Sequence, residues 1–306
     1  MRVPSVMAKI LSTVLSVALL VAFLPTSGVA QDQAPPPQDQ GGPPPSFGPD
    51  QLDKLVSRVA LYPDPLLAQV LAAATFPDQI PDAARWADEH HYLQGEQLAT
   101  AISEDHLPWD PAVQAMLPFP SVLDEMAADI NWTTDLGNAF LAQRQDVMDA
   151  VQRMRQKAKD FGYLRSNAQV VVTGGPYIEI EPVNAGFIPV PYYDPFVVYA
   201  APRAGFVVGG AIGFGFGVSI GTFFRPWGWG YSRFDWRAHG FYIYNRPWGR
   251  VWGNRFAYVH AYGPGVRRWE GARPAEGHAL IRRSERERNA YREGRPRVEE
   301  HPHPHH

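Results

Sequence analysis

The feature that most constrains this chain is a change of hydrophobic period near residue 165. From residue 50 to 160 the apolar residues recur at helical spacing, as in Leu52, Leu55, Val56 and Val59 at i, i+3, i+4 and i+7. Asp50 is placed to cap this first helix and Tyr62-Pro63 to end it. Asp64 then reads as the cap of a second helix, with Pro65 at its first position, where a missing N–H costs nothing. The same Asp-Pro start recurs at Asp110-Pro111, and further helices are predicted over 81–90, 94–104, 121–130 and, longest, 133–160, with Gly162 as its stop. Beyond that point the runs 169–173, 177–181, 187–190 and 196–199 are short, β-rich and separated by Gly, Pro and Asn. They predict a small meander of three or four strands, so residues 50–200 should form an α+β unit, a mainly helical domain with a β appendage.

The first thirty residues read as a cleavable export signal. Arg2 and Lys9 supply positive charge, residues 10–24 form an apolar run, and Gly28 and Ala30 place small residues before a cleavage point at Gln31. That run is shorter than the ~20 residues a bilayer requires, and Pro25 breaks it. Residues 31–49, rich in Gln, Asp, Pro and Gly, cannot bury a core and read as a tether. The chain has no cysteine, which excludes disulfides, thiolate metal sites and a thiol nucleophile. Stability must come from packing.

A net charge of −3 hides two opposite halves. Residues 50–200 carry 21 acidic and 9 basic side chains, a net of −12, whereas residues 201–306 carry 17 arginines, no lysine and 8 acids, a net of +9. Arginine suits bidentate contacts to anions and stacking on aromatic rings. For an exported chain the matching polyanions are lipid head groups, other envelope polymers or its own acidic half, so nucleic acid is not an expected partner. A merely solubilising basic tail over 263–306 is the plain alternative.

Between these halves, residues 204–224 are uncharged and contain seven glycines. Gly205, Gly209, Gly213, Gly217 and Gly221 recur every fourth residue and would line one face of a helix, a surface for close packing of a second helix in a membrane or in a homo-oligomer. Such a helix would be costly in water, at roughly 0.8 to 1 kcal/mol per glycine. A rival period is present, because Ile212, Phe214, Phe216, Val218 and Ile220 alternate with small residues as a strand would. The helix is favoured here because its repeat covers the longer span. If it crosses a bilayer, the arginines from Arg225 to Arg255 place its C-terminal end in the cytoplasm.

Residues 223–262 interleave 15 aromatic side chains with arginine, and Arg225-Pro-Trp-Gly228 recurs as Arg246-Pro-Trp-Gly249. Arg225, Trp227, Trp229, Arg233, Arg246, Trp248, Arg250 and Trp252 would suit an interfacial or anionic surface. Equally, the tryptophans would be the core of a small β unit, with 241–244 as one strand. Three chemistry-like patterns have plain readings. Gly217-Val-Ser-Ile-Gly221 matches a nucleophile elbow but lacks the following helix and the acid and histidine partners. Glu179 and Glu181 share a strand face and read as solvated. Glu89-His90-His91 lies at a helix end without a fourth ligand at metal-site spacing, and His301, His303, His305 and His306, which could bind a divalent metal loosely, read as a flexible tail or a purification-like remnant, so no catalytic residue, metal or cofactor is expected.

The blocks Ala60-Leu-Tyr-Pro-Asp-Pro-Leu-Leu-Ala-Gln-Val-Leu71, Thr75-Phe-Pro77, Ala84-Arg-Trp86, Trp109-Asp-Pro111, Phe119-Pro120, Phe140-Leu-Ala-Gln143 and Asp146-Val-Met-Asp-Ala-Val-Gln-Arg153 resemble the bacterial secreted family called domain of unknown function 3300. The resemblance covers about residues 52–199 and extends more loosely into the Gly- and Trp-rich stretches. It implies an exported bacterial protein and carries no activity or catalytic residue with it. The functional expectation is a non-enzymatic protein of the periplasm or cell envelope that interacts with a membrane, an anionic polymer or a second copy of itself. An envelope-modifying enzyme and a carbohydrate-binding module using the Trp-rich stretch are the alternatives.

Overall fold

The computed structural model describes residues 42–202, 209–215 and 217–260. The signal at 1–30, most of the tether, Gly205 and the tail from 263 onward lie outside them. The chain divides into two units, residues 1–43 and 44–306. Within the second, eight helices come first: α1 (Pro49–Val56), α2 (Asp64–Ala74), α3 (Ile80–Glu89), α4 (Gly95–Glu104), α5 (Pro111–Gln114), α6 (Pro120–Ala128), α7 (Ile130–Ala142) and α8 (Arg144–Asp160). α2 is central, buried from Leu66 to Ala74, with α7 and α5 against it, while α1 lies along α8 and α3 along α6. The result is the mainly helical α+β unit that the period predicts.

Helix ends follow the expected chemistry at some points and depart from it at others. Gly162 stops α8 in a left-handed conformation, with Tyr163 N donating to Ala158 O and Gly162 N to Lys159 O, the paired bonds of a Schellman turn. Asp110 caps α5 by accepting from Ala112 N at 2.9 Å. Asp50, however, sits inside the first turn of α1, behind Gly48 and Pro49. Asp64 begins α2 without capping it, because its carboxylate is committed to Arg155. The long helix expected over 133–160 is two helices. Gln143 breaks it at φ −135°, ψ 46°, and its amide bonds Phe47 N, Phe47 O and Asp146. That break lets α7 cross α2 while α8 returns along α1.

The β part is not a sequential meander. β1 (Val170–Val172) and β2 (Ile180–Pro182) form an antiparallel hairpin, but β3 (Phe187–Ile188) and β4 (Pro191–Tyr193) find partners downstream. Residues 196–199, expected as a strand, lie largely in a short helix, α9 (Pro195–Val198), begun by Asp194, whose side chain accepts from Phe196 N at 2.8 Å. The Gly-rich segment supplies the missing strands. β5 (Ile212–Phe214) pairs with β4 and β6 (Val218–Ser219) with β3. The helical stripe is therefore corrected over its described part: Gly213 and Gly217 sit on or beside strands, Gly221 in a left-handed turn. A Cβ on Gly213 would lie 2.1 Å from Tyr192 Cζ, so this glycine leaves room for the ring of its cross-strand partner. The two-residue alternation wins because β3 and β4 offer backbone partners that leave no reason to form a glycine-rich helix in water.

The C-terminal part closes over the helices with a three-stranded sheet, β7 (Arg233–Asp235), β8 (Gly240–Ile243) and β9 (Arg246–Pro247). The two Arg-Pro-Trp-Gly copies differ in form, the first a 3-10 turn and the second the start of β9. One buried cluster runs from Leu52 to Trp248, across the boundary drawn from sequence at 200–204.

Candidate functional site

Of the two readings of the aromatic stretch, an interfacial surface or a core, the core holds for most of the tryptophans. Trp227, Trp229 and Trp248 are buried, and Trp252 is half-buried. Trp229 donates Nε1–H to Ala115 O at 2.9 Å and lies 4.9 Å from the Phe119 ring, and Trp227 donates to Gln114 Oε1. Arg250 is also buried, over the Phe76 ring, donating to Thr75 O at 2.9 Å, and burial lowers its pKa to about 10. Only Arg225, Arg233 and Arg246 of that set face solvent, the first two over Tyr231 and Tyr242. Irregular backbone carries no amphipathic period, so burial of these rings was not readable from their spacing.

Among the described residues, two buried polar nodes tie the parts together. In the first, Arg155 meets Asp64 at 2.6 Å and donates to Ala60 O, Tyr62 O and Ile178 O, with Trp236 covering it and donating to Asp64. In the second, His260 Nδ1 lies 2.7 Å from Asp110 Oδ2. Arg155, Asp64, His260 and Asp110 are all buried, and both nodes read as structural. In the Gly217–Gly221 motif the two-residue β6 holds Ser219 itself, and a short 3-10 turn rather than a helix follows, so the elbow context of strand, nucleophile turn and helix is absent. His90 stacks on Trp86 with centroids 3.9 Å apart. Among the described residues no three His, Asp or Glu side chains are grouped to hold a metal.

Glu179 and Glu181 lie on the outer face of the β1–β2 hairpin, alternating with buried Ile178 and Ile180. Although Glu181 is exposed at the surface, its carboxyl is pushed up to about 7, first by desolvation where it lies against the protein and then by the charges of Asp64 and Glu179, against the lowering effect of Arg155. In the unfolded chain it titrates near 4.5. The folded state therefore holds this proton more tightly, and its contribution to stability is present below pH 4.5 and lost as pH rises toward 7. Compared with wild type, Glu181→Gln should flatten the melting temperature against pH over that window; an unchanged profile would show that the carboxyl is not shifted.

Among the described residues, converging polar and aromatic groups line a groove of about 430 Å³. Three separate segments build it. The α1–α2 connection contributes Arg58 and Tyr62, the start of α6 contributes Ser121, Val122 and Glu125, and residues 190–196 form the opposite wall. That wall is pinned from behind: Tyr193 and Tyr199 both donate their hydroxyls to Ser57 O, at 2.9 and 3.0 Å, and their rings meet edge to face. Tyr192 lies over Gly213, and the Asp194 cap fixes the turn. Held in this way, Phe196 remains 90% exposed and Tyr192 67%. On the floor Tyr62 donates to Glu125 Oε2 at 3.2 Å, its pKa raised chiefly by burial, so the phenol keeps its proton. Burial also raises Glu125, against the lowering effects of Tyr62 and Arg58. Arg58 is paired with Asp129 at 2.9 Å. The groove thus offers two aromatic faces, the carboxylates of Glu125 and Asp194, and an arginine whose charge is already matched.

None of these groove residues stood out in the sequence, although Asp194-Pro195 repeats the helix-start signature of Asp110-Pro111. No solved structure matches the chain. The uncharacterised protein YacH of Escherichia coli strain K12 is 33% identical over 238 residues, which cover 62% of this chain and 38% of YacH. The chain therefore spans well under half of the length of that relative. Residues 48–270, well over half of the chain and including every groove residue, match the family described as protein of unknown function (DUF3300), and the protein belongs to that family.

Proposed function

We propose that the protein is an exported, non-enzymatic interaction protein of the periplasm or cell envelope, and that its groove binds a cationic peptide segment. The observation that carries this reading is the pinned exposure of Phe196 and Tyr192 beside Glu125 and Asp194. A guanidinium or ammonium group gains from an aromatic face, about 0.5–1 kcal/mol when exposed and ~2 kcal/mol when desolvated. A carboxylate whose charge is disfavoured by burial gains further when a cation arrives. The groove has no unmatched cation, so an anionic ligand would meet repulsion. Export rests on the signal-like first thirty residues. Among the described residues no helix is long and apolar enough to cross a membrane, and β5 and β6 occupy the place where a glycine-striped helix would have provided attachment.

The test uses an arginine-rich peptide of unrelated sequence titrated into the mature protein by calorimetry. Phe196→Ala should leave the melting temperature unchanged, because the ring is exposed, and weaken binding by about tenfold, the equivalent of ~1.4 kcal/mol. Glu125→Gln should weaken it similarly and reduce its salt dependence. Undiminished binding in both variants would overturn the groove as the site.

A further inference from the structure

We propose that the occupant of the groove is the arginine-rich tail of the same chain, residues 263–306. This rests on the reading of the groove as a cation site and names its partner.

Charge complementarity supplies the first argument. The helical part of the chain, residues 50–200, has a net charge of −12, while residues 282–297 hold seven arginines against three glutamates. All of the tail's cations apart from its histidines are arginines. A guanidinium can stack on a ring such as Phe196 and make bidentate contact with a carboxylate such as Glu125 at the same time, which an ammonium cannot.

The second argument is where the described chain ends. His260 is fixed beside Asp110, and Arg250, ten residues earlier, is fixed to Thr75 O, so the tail leaves from a defined point on the helical unit. Asp110 and Ser121, on the groove wall, are only eleven residues apart in sequence, which limits their separation to about 40 Å even for a fully extended chain. From His260 to Arg288 there are 28 residues, whose contour of ~95 Å exceeds that limit twofold. A tethered segment that can span the distance acts at an effective concentration in the millimolar range, so modest contacts suffice to keep it in place.

The chain's lack of cysteine makes the test direct. In the full-length mature protein, Phe196→Cys labelled with a photoactivatable benzophenone places an aromatic cross-linker at the groove rim. Irradiation should give cross-linked peptides from residues 263–306 within a monomeric product. Replacing Arg282, Arg283, Arg286 and Arg288 together with glutamine should remove them, and the unlabelled variant should then bind the added arginine-rich peptide about tenfold more tightly, as expected when a competitor is lost. Cross-links to the tail of a second molecule would overturn the intramolecular proposal. Cross-links to added peptide but never to the tail would also overturn it and leave the groove reading standing. Cross-links to neither, with binding only to a neutral glycan, would overturn both.

Discussion

Gly137→Ala is expected to destabilise the protein by about 3 kcal/mol or more, at the upper end of what overpacking costs, although alanine is the better helix former by ~1 kcal/mol. Gly137 lies in α7 where it crosses α2, and a Cβ there would sit 1.9 Å from Ala74 O, 2.5 Å from Ala74 C and 2.9 Å from Thr75 Cα. All three are backbone atoms, so no side chain can swing aside. Relief requires the helices to separate, and Phe140 on α7 is already packed against Phe241 and Trp248, while Thr75 O holds Arg250. The separation would therefore loosen the seat of the C-terminal sheet as well. For a unit of this size the melting temperature should fall by roughly 6–12 °C. Gly253→Ala, where nothing lies within 4 Å, should be neutral and serves as the control. Circular dichroism melts of the two variants decide the matter: a fall of less than about 2 °C for Gly137→Ala would mean that the helices do not cross this closely.

Gly137 also marks the limit of what sequence shows. Its place inside a helical run was legible, but a close crossing depends on Ala74, sixty-three residues away, and no local pattern records it. The helical period from Leu52 onward, the stop at Gly162 and the cap at Asp110 were legible because each is a local event between neighbours in the chain. The break at Gln143 was not. Nothing in Ala142-Gln143-Arg144 opposes a helix, and the interruption is held by Phe47, nearly a hundred residues earlier. In the Gly-rich segment two periods competed on the same residues, and glycine, having no side chain, could not say which face was inside. β3 and β4 settled it by pairing with β6 and β5. The groove was the least legible part, because Arg58, Glu125 and Phe196 come from three segments whose meeting is a tertiary fact.

Arg155→Ala should cost about 3–5 kcal/mol, the range for breaking a fully buried ion pair from one side. Arg155 has no exposed surface and is held by four bonds: Nε to Ala60 O at 2.8 Å, Nη1 to Ile178 O at 2.8 Å and to Asp64 Oδ1 at 2.6 Å, and Nη2 to Tyr62 O at 3.0 Å. Its removal takes the guanidinium donor from the carbonyls of Ala60 and Tyr62, leaves Ile178 O with Gln152 alone and deprives the buried Asp64 carboxylate of its counter-charge. Asp64→Asn should fall in the same range by the opposite route, since it keeps an acceptor for Trp236 but leaves the guanidinium without its counter-charge. A general weakening of packing would give additive effects. A charged node predicts otherwise: Asp64→Asn with Arg155→Met, which removes both charges and refills the volume, should cost less than the sum of the single changes by about 0.5–3 kcal/mol. Because the node joins α2, α8, the β1–β2 hairpin and Trp236, each single variant should also change Trp236 fluorescence before the main unfolding transition. Urea unfolding followed by circular dichroism and by fluorescence tests both points. Additive costs, or single costs below about 1 kcal/mol, would mean that the buried pair contributes no more than a surface one.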